Sequence, residues 1–235
     1  MKKKELTTKQ KNADKDLDII ILFTLIPLII YLFFGNSIMN FAKTSDINIW
    51  LRFIPIILIQ FGLAGLGSFI VVCYRKEKLK EYGLVKKDLF KTIILSLIVC
   101  IPSLIFLLVN NEIKSYFPLK GCFFTEMFLN AQCPTNLLGF LLIVLVWGFF
   151  EGFNYVVISK KINDRYISRN KWINYGAIVC GLICILIHGM IGFDLYTIFE
   201  AITTFIIIYG MLIIKEHTNN AWGCIFIFLL FWNAI

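Results

Sequence analysis

Apolar stretches of about 20 residues, the length that crosses a bilayer core as an α-helix, recur along almost the whole chain. They cover residues 17–35, 50–73, 92–109, 137–158, 173–193, 195–214 and 221–235. The pattern predicts an all-α fold, a polytopic membrane helical bundle of about seven spans. The last stretch is short for a full span, so six complete spans and a partial one fit the pattern too. Residues 1–16 read as a basic, mobile tail, and 17–235 as one transmembrane domain without a linker, low-complexity block or internal repeat. No small-x-small cleavage site follows the first apolar run, so that run reads as a retained anchor.

Composition agrees with this reading. Of 235 residues, 59% are hydrophobic and 16% charged, and the mean hydropathy is +0.80. The net charge of +8 would suit nucleic acid, but its distribution argues for topology instead. Lys2, Lys3, Lys4, Lys9, Lys11 and Lys15 precede the first span. Arg75, Lys76, Lys78, Lys80, Lys86, Lys87 and Lys91 follow the second, and Lys160, Lys161, Arg165, Arg169 and Lys171 follow the fourth. The alternate connections are nearly neutral. That is the positive-inside pattern of a multi-pass protein of the cell membrane with a cytoplasmic N-terminus, although the KEHTNN turn at 215–220 lacks the expected basic excess. The partners it implies are membrane lipids, with no nucleic acid.

Two connections carry more than charge. In EKLKEYGLVKKDLFKTI, residues Leu79, Tyr82, Leu84, Val85 and Leu89 alternate with lysines, as in a helix lying in the headgroup plane. Gly83 would break it, and a plain charged turn fits as well. The 110–136 loop holds Phe117, Phe123, Phe124 and Phe128, too apolar for a freely solvated loop. It is expected to fold back over the bundle mouth as a lid or to anchor in the interface. Cys122 and Cys133 fall in it, as a disulfide or as two free thiols. The other five cysteines lie in or beside spans, where cysteine acts as a small hydrophobe.

The candidate chemistry lies in the C-terminal half. Glu151, His188, Glu200 and Asn233 fall on four different expected spans. A charged side chain at the bilayer centre costs about 3 kcal/mol on insertion scales and marks a protein-lined or watery site. Asn154 and Tyr155 follow Glu151 at helical spacing and are expected to share its face. Gly148 and Gly152 form a small-xxx-small pair that lets a neighbouring helix approach the carboxylate. Glu151 as base and His188 as orienting group would activate a water, and Asn233 would donate to an oxyanion. Glu200 would pair with His188 or face the aqueous mouth. No cofactor is required by any of this. A divalent metal held by Glu151, Cys184 and His188 would reach the three protein ligands of a catalytic zinc, but Cys184 has a ready role as a buried small residue.

The order of these elements resembles the CPBP family, the CAAX proteases and bacteriocin-processing enzymes also called Abi. The likeness covers about residues 80–235. YGLVKKDLFKTIILSL looks like the family's basic approach to a span. WGFFEGFNYVVI looks like its Glu-Glu motif followed by Arg, LICILIHGMIG like Phe-x-x-x-His, and TNNAWGCIFIFLLFWNA like His-x-x-x-Asn. The resemblance implies an intramembrane endopeptidase that cuts a membrane-tethered or prenylated peptide, with Glu151, His188 and Asn233 catalytic. Four positions depart from it: Gly152 replaces the second glutamate, Val156 the arginine, Cys184 the phenylalanine and Leu229 the final histidine. Losing one oxyanion donor costs about 100–1,000-fold in rate. The alternative is therefore a catalytically impaired CPBP-like protein that binds a peptide, lipid or partner helix. A third reading, a small carrier with Glu151 and Glu200 as proton sites, lacks the inverted repeat and paired broken helices of that class.

Overall fold

The computed structural model describes residues 5–168, 170 and 172–235. Lys2, Lys3, Lys4, Arg169 and Lys171, counted above among the basic flanks, lie outside them. The protein is an all-helical membrane bundle. Its long helices are α1 (Thr8–Lys43), α2 (Ile49–Arg75), α3 (Leu89–Val109), α5 (Thr135–Arg165) and α7 (Leu195–Thr218), each long and apolar enough to cross a membrane. A short helix α4 (Thr125–Leu129) lies between α3 and α5. Two shorter apolar helices, α6 (Tyr175–Ile187) and α8 (Trp222–Trp232), complete the set. All seven apolar stretches are thus helical, but two are too short to span in the ordinary way. Helix α6 stops early because Gly189 takes a left-handed conformation, φ 67°. The N–H groups of Gly189 and Met190 then bond the Leu186 and Ile185 carbonyls, a Schellman stop.

The expected mobile tail is instead helical from Thr8. Thr7 and Gln10 form a reciprocal capping box that satisfies two orphan donors. The charges of this first section then dock on the bundle. Asp16, 1% exposed, accepts from Arg75 Nε at 2.7 Å and pairs with Lys161 Nζ at 2.9 Å. Lys161 reaches Glu77 at 2.8 Å, and Glu77 also accepts from the Tyr82 hydroxyl. Four chain segments meet in this network.

Burial works against the Glu77 carboxylate, but the bonds from Lys161 and Tyr82 outweigh it and hold the group below its ordinary value of 4.5. A depressed carboxyl contributes stability that is complete above 4.5 and lost as pH falls through the lower folded value. Wild-type protein in detergent is therefore expected to lose thermal stability below about pH 4, and Glu77→Gln to lose less over that interval. Parallel pH curves for the two proteins would count against the assignment.

The connection after α2 does not form an in-plane helix. Its one regular piece is the 3-10 turn Leu79–Tyr82, with Tyr82 fully buried. Gly83, at φ 91°, accepts from the Ala221 N–H at 2.8 Å. Asn220 Nδ2 donates to the Val85 and Lys87 carbonyls at 2.9 and 2.6 Å. These bonds tie the segment to the α7–α8 turn instead of leaving it on a lipid surface.

The 110–136 loop does fold back. Leu119, Cys122, Phe124 and Phe128 are buried in a cluster with Phe53 of α2 and Ile143 of α5. The aromatic rings of Phe53, Phe124 and Phe128 meet edge-on or tilted at 4.9–6.1 Å. Cys122 is buried, Cys133 is exposed, and both are free thiols.

Candidate functional site

Three helices widen into π-helical turns: α2 at Gly62–Leu66, α5 at Val144–Phe150 and α8 at Phe228–Trp232. The α5 turn touches both of the others. Such turns redirect a helix and free backbone carbonyls, and they concentrate at functional sites. A polar side chain flanks each one. Gln60 lies two residues before the first, Glu151 directly follows the second, and Asn233 directly follows the third.

These three side chains converge. Glu151 is 7% exposed and accepts from Gln60 Nε2 at 3.3 Å. The Asn233 amide stands beside the same carboxylate and donates to the Trp147 and Phe228 carbonyls, both at 3.4 Å. Asn233 thereby ties the wide turns of α5 and α8 together. The folded-back loop secures it from outside: Gly121 N–H donates to the Asn233 carbonyl at 2.9 Å and Phe117 N–H to Ala234 at 3.1 Å. The Tyr116 hydroxyl donates to the Leu230 carbonyl at 2.9 Å. The loop thus folds back onto the C-terminal residues that carry Asn233.

The glycine pair does what its spacing suggests. A Cβ at Gly148 would stand 2.1 Å from Leu229 Cδ2, and one at Gly152 would stand 2.8 Å from the Cys224 carbonyl oxygen and Ile225 Cα. Helix α8 is therefore seated directly on this face of α5. The seating involves two of the positions at which the chain differs from the CPBP motifs. Leu229 fills the notch at Gly148, and Gly152 meets backbone. Val156 is fully buried in the core, as is Cys184.

His188 is placed differently from the expectation. The Gly189 stop makes it the C-cap just after α6 rather than a residue inside a span. Its ring meets Trp232 edge-on at 5.3 Å, and it forms neither an ion pair nor a hydrogen bond with Glu151 or Glu200. Trp232 directly precedes Asn233 in the chain. The Glu151–His188 dyad is not assembled, and the reason is local: glycine after histidine ends the helix.

The supporting residues divide as well. Asn154 shares the polar face and accepts from the hydroxyl of Ser68, a buried residue of α2. Tyr155 turns away into the core, stacked on Phe228 at 5.5 Å with its hydroxyl beside Cys184. Glu200 opens onto a cavity with Met190 and Trp232 rather than pairing with His188. Among the described residues no three His, Cys, Asp or Glu side chains form a metal-binding group, so the Glu151, Cys184 and His188 trio is not gathered. Gln60 and Ser68 join the site from the N-terminal half, far in sequence from the other polar candidates. A glutamine inside IILIQFGLAG was the available signal.

No family model, curated protein or solved structure matches this chain. The site's geometry therefore bears the functional argument.

Proposed function

We propose that this is a multi-pass protein of the cell membrane, N-terminus in the cytoplasm, that binds a membrane-associated peptide without cutting it. The observation that carries this reading is the partnership of Glu151. Its carboxylate is held by Gln60 and set beside Asn233, while His188 stands against Trp232. A glutamate bonded this way lacks the imidazole that would orient an attacked group. Packing at Gly152 against the Cys224 carbonyl oxygen and Ile225 Cα leaves no space there for the further carboxylate of the CPBP pattern. The orientation rests on the basic connections, which lie at alternate ends of the spans.

The binding surface is the mouth beneath the folded-back loop, next to Trp232 and Asn233. The test is photo-crosslinking of a lipid-anchored peptide to the full chain in nanodiscs. Crosslinks are expected in the 110–136 loop and α8, weakened about tenfold by Asn233→Ala. Crosslinks scattered over the lipid-facing surface, unchanged by that variant, would remove the proposed site.

A second reading, endopeptidase activity of the CPBP type, is favoured by one observation: Glu151 and Asn233, the first and last residues of the motif set, do stand together. It requires His188 to leave Trp232 and reach the Glu151 carboxylate.

A further inference from the structure

Arg52 stands in the first turn of α2, at the end of the bundle away from the basic network around Arg75. The described residues include three arginines, and two of them have a carboxylate partner. Arg75 pairs with Asp16, and Arg165 with Asp14. Arg52 takes part in none of the ion pairs among the described residues. Asp46, the carboxylate nearest to it in sequence, accepts from the Ser45 hydroxyl instead. Arg52 Nη1 donates to the Ala42 carbonyl in the last turn of α1 at 3.2 Å. That bond caps a helix end and leaves the positive charge without a partner. An unpaired charge in a membrane span is costly and marks a site.

A second observation concerns the same side chain. Arg52 Nε is shut off from solvent and has no hydrogen-bond partner. Buried polar groups are ordinarily bonded, and one that is not points to an acceptor such as an ion. The surroundings specify the sign. The start of a helix carries partial positive charge, which disfavours an arginine there and favours an anion. The Asn48 side chain takes the Trp50 N–H, and the Leu51 N–H has no acceptor among the described residues. Lys43, next to Ala42 in the last turn of α1, is in no ion pair among them either.

The surroundings also specify what carries the anion. Leu51, Ile54 and Leu58 are exposed and recur at helical spacing, an apolar stripe on α2 that starts beside Arg52. A guanidinium matches phosphate oxygens with paired N–H groups and is weakly hydrated, which suits a phosphate at the membrane boundary. Free phosphate would use the arginine alone, whereas a phospholipid uses the stripe as well, for its acyl chains.

We propose that Arg52 is a binding site for the phosphodiester of an anionic phospholipid in the leaflet away from the basic connections, with the acyl chains along Leu51, Ile54 and Leu58. The site is independent of the peptide-binding reading. Trp50, two residues earlier, meets Phe128 of the folded-back loop at 5.0 Å, so the lipid would brace the α1–α2 corner on which that loop packs.

The experiment places the full chain in phosphatidylcholine nanodiscs that carry a small fraction of a diazirine-labelled probe. The probe is phosphatidylglycerol or a diacylglycerol with the same acyl chains, and mass spectrometry quantifies the crosslinked peptides. Residues 49–58 are expected to take about tenfold more label from phosphatidylglycerol, the yield of one charge-assisted hydrogen bond. R52Q should bring that label down to the diacylglycerol level while label on 175–187 stays unchanged. R52K, which keeps the charge but not the planar fork, should lose a few-fold. The comparison of the two probes on wild-type protein does not depend on either variant folding. Equal labelling of 49–58 by both probes would overturn the site, as would an undiminished phosphatidylglycerol label in R52Q. Loss of the phosphatidylglycerol excess on adding millimolar inorganic phosphate would overturn the lipid assignment and give the site to a soluble anion.

Discussion

Gly152→Glu, which installs the residue that the CPBP resemblance would place there, is expected to damage the protein rather than complete an active site. A Cβ at this position would stand 2.8 Å from the Cys224 carbonyl oxygen and Ile225 Cα. Both are backbone atoms of α8, so no side chain can swing aside to make room. Overpacking of a filled interior costs about 1–3 kcal/mol. A second buried carboxyl beside Glu151 adds the cost of an unpartnered polar group, about 1–3 kcal/mol more. The variant should lose several degrees in thermal unfolding in detergent and gain no peptide hydrolysis. Gly152→Ala should fall between it and the wild type, because it carries the steric share alone. A variant as stable as wild type that cleaves peptide would mean that α8 yields and that the glycine is incidental.

Lys161→Met should be the most damaging change at the other end of the bundle. The Lys161 side chain is 3% exposed and its ammonium meets both Asp16 and Glu77. Breaking a buried pair by removing one partner costs about 3–5 kcal/mol, because the remaining charge stays out of water. Asp16 keeps Arg75, which places the expectation at the lower end, about 3 kcal/mol. Lys9→Met provides the contrast. Lys9 pairs with Asp164 at 2.7 Å, but its side chain is 71% exposed, and exposed pairs contribute about 0–1 kcal/mol. Thermal unfolding of the two variants under identical detergent conditions separates them. Equal, small losses would show that the network is an incidental meeting of surface charges.

The bundle was legible in the sequence because lipid imposes a single strong requirement, a long apolar run for each crossing. What escaped was decided by single residues. The Gly189 stop shortens α6 and leaves His188 as its C-cap rather than inside a span, where hydropathy gives no warning. The Thr7–Gln10 capping box starts α1 inside a segment whose lysines suggested a loose tail. Gly83 and Asn220 tie the 79–88 connection to the α7–α8 turn, a long-range contact that an amphipathic pattern does not reveal.

At the candidate site, Glu151 and Asn233 are legible because polar groups in apolar runs are conspicuous. The glycine pair was readable for the same reason that it matters: only a residue without a side chain admits another helix so closely. The π-helical turns beside Gln60, Glu151 and Asn233 left no mark on the periodicity, since each adds a single residue to a turn. Gln60 was visible as a lone amide in the second span, but its meaning depends on α2 lying against α5. That contact is a property of packing rather than of any local pattern.

The central claim is that Glu151 serves a binding site and is not paired for hydrolysis. Its most direct test is mass spectrometry of a lipid-anchored, prenylated peptide incubated with wild-type protein, Glu151→Ala and His188→Ala in nanodiscs. The expected result is intact peptide with all three proteins, with binding to the wild type verified in the same samples. Cleavage at a defined bond by the wild type, abolished in both variants, would contradict the account and establish the endopeptidase.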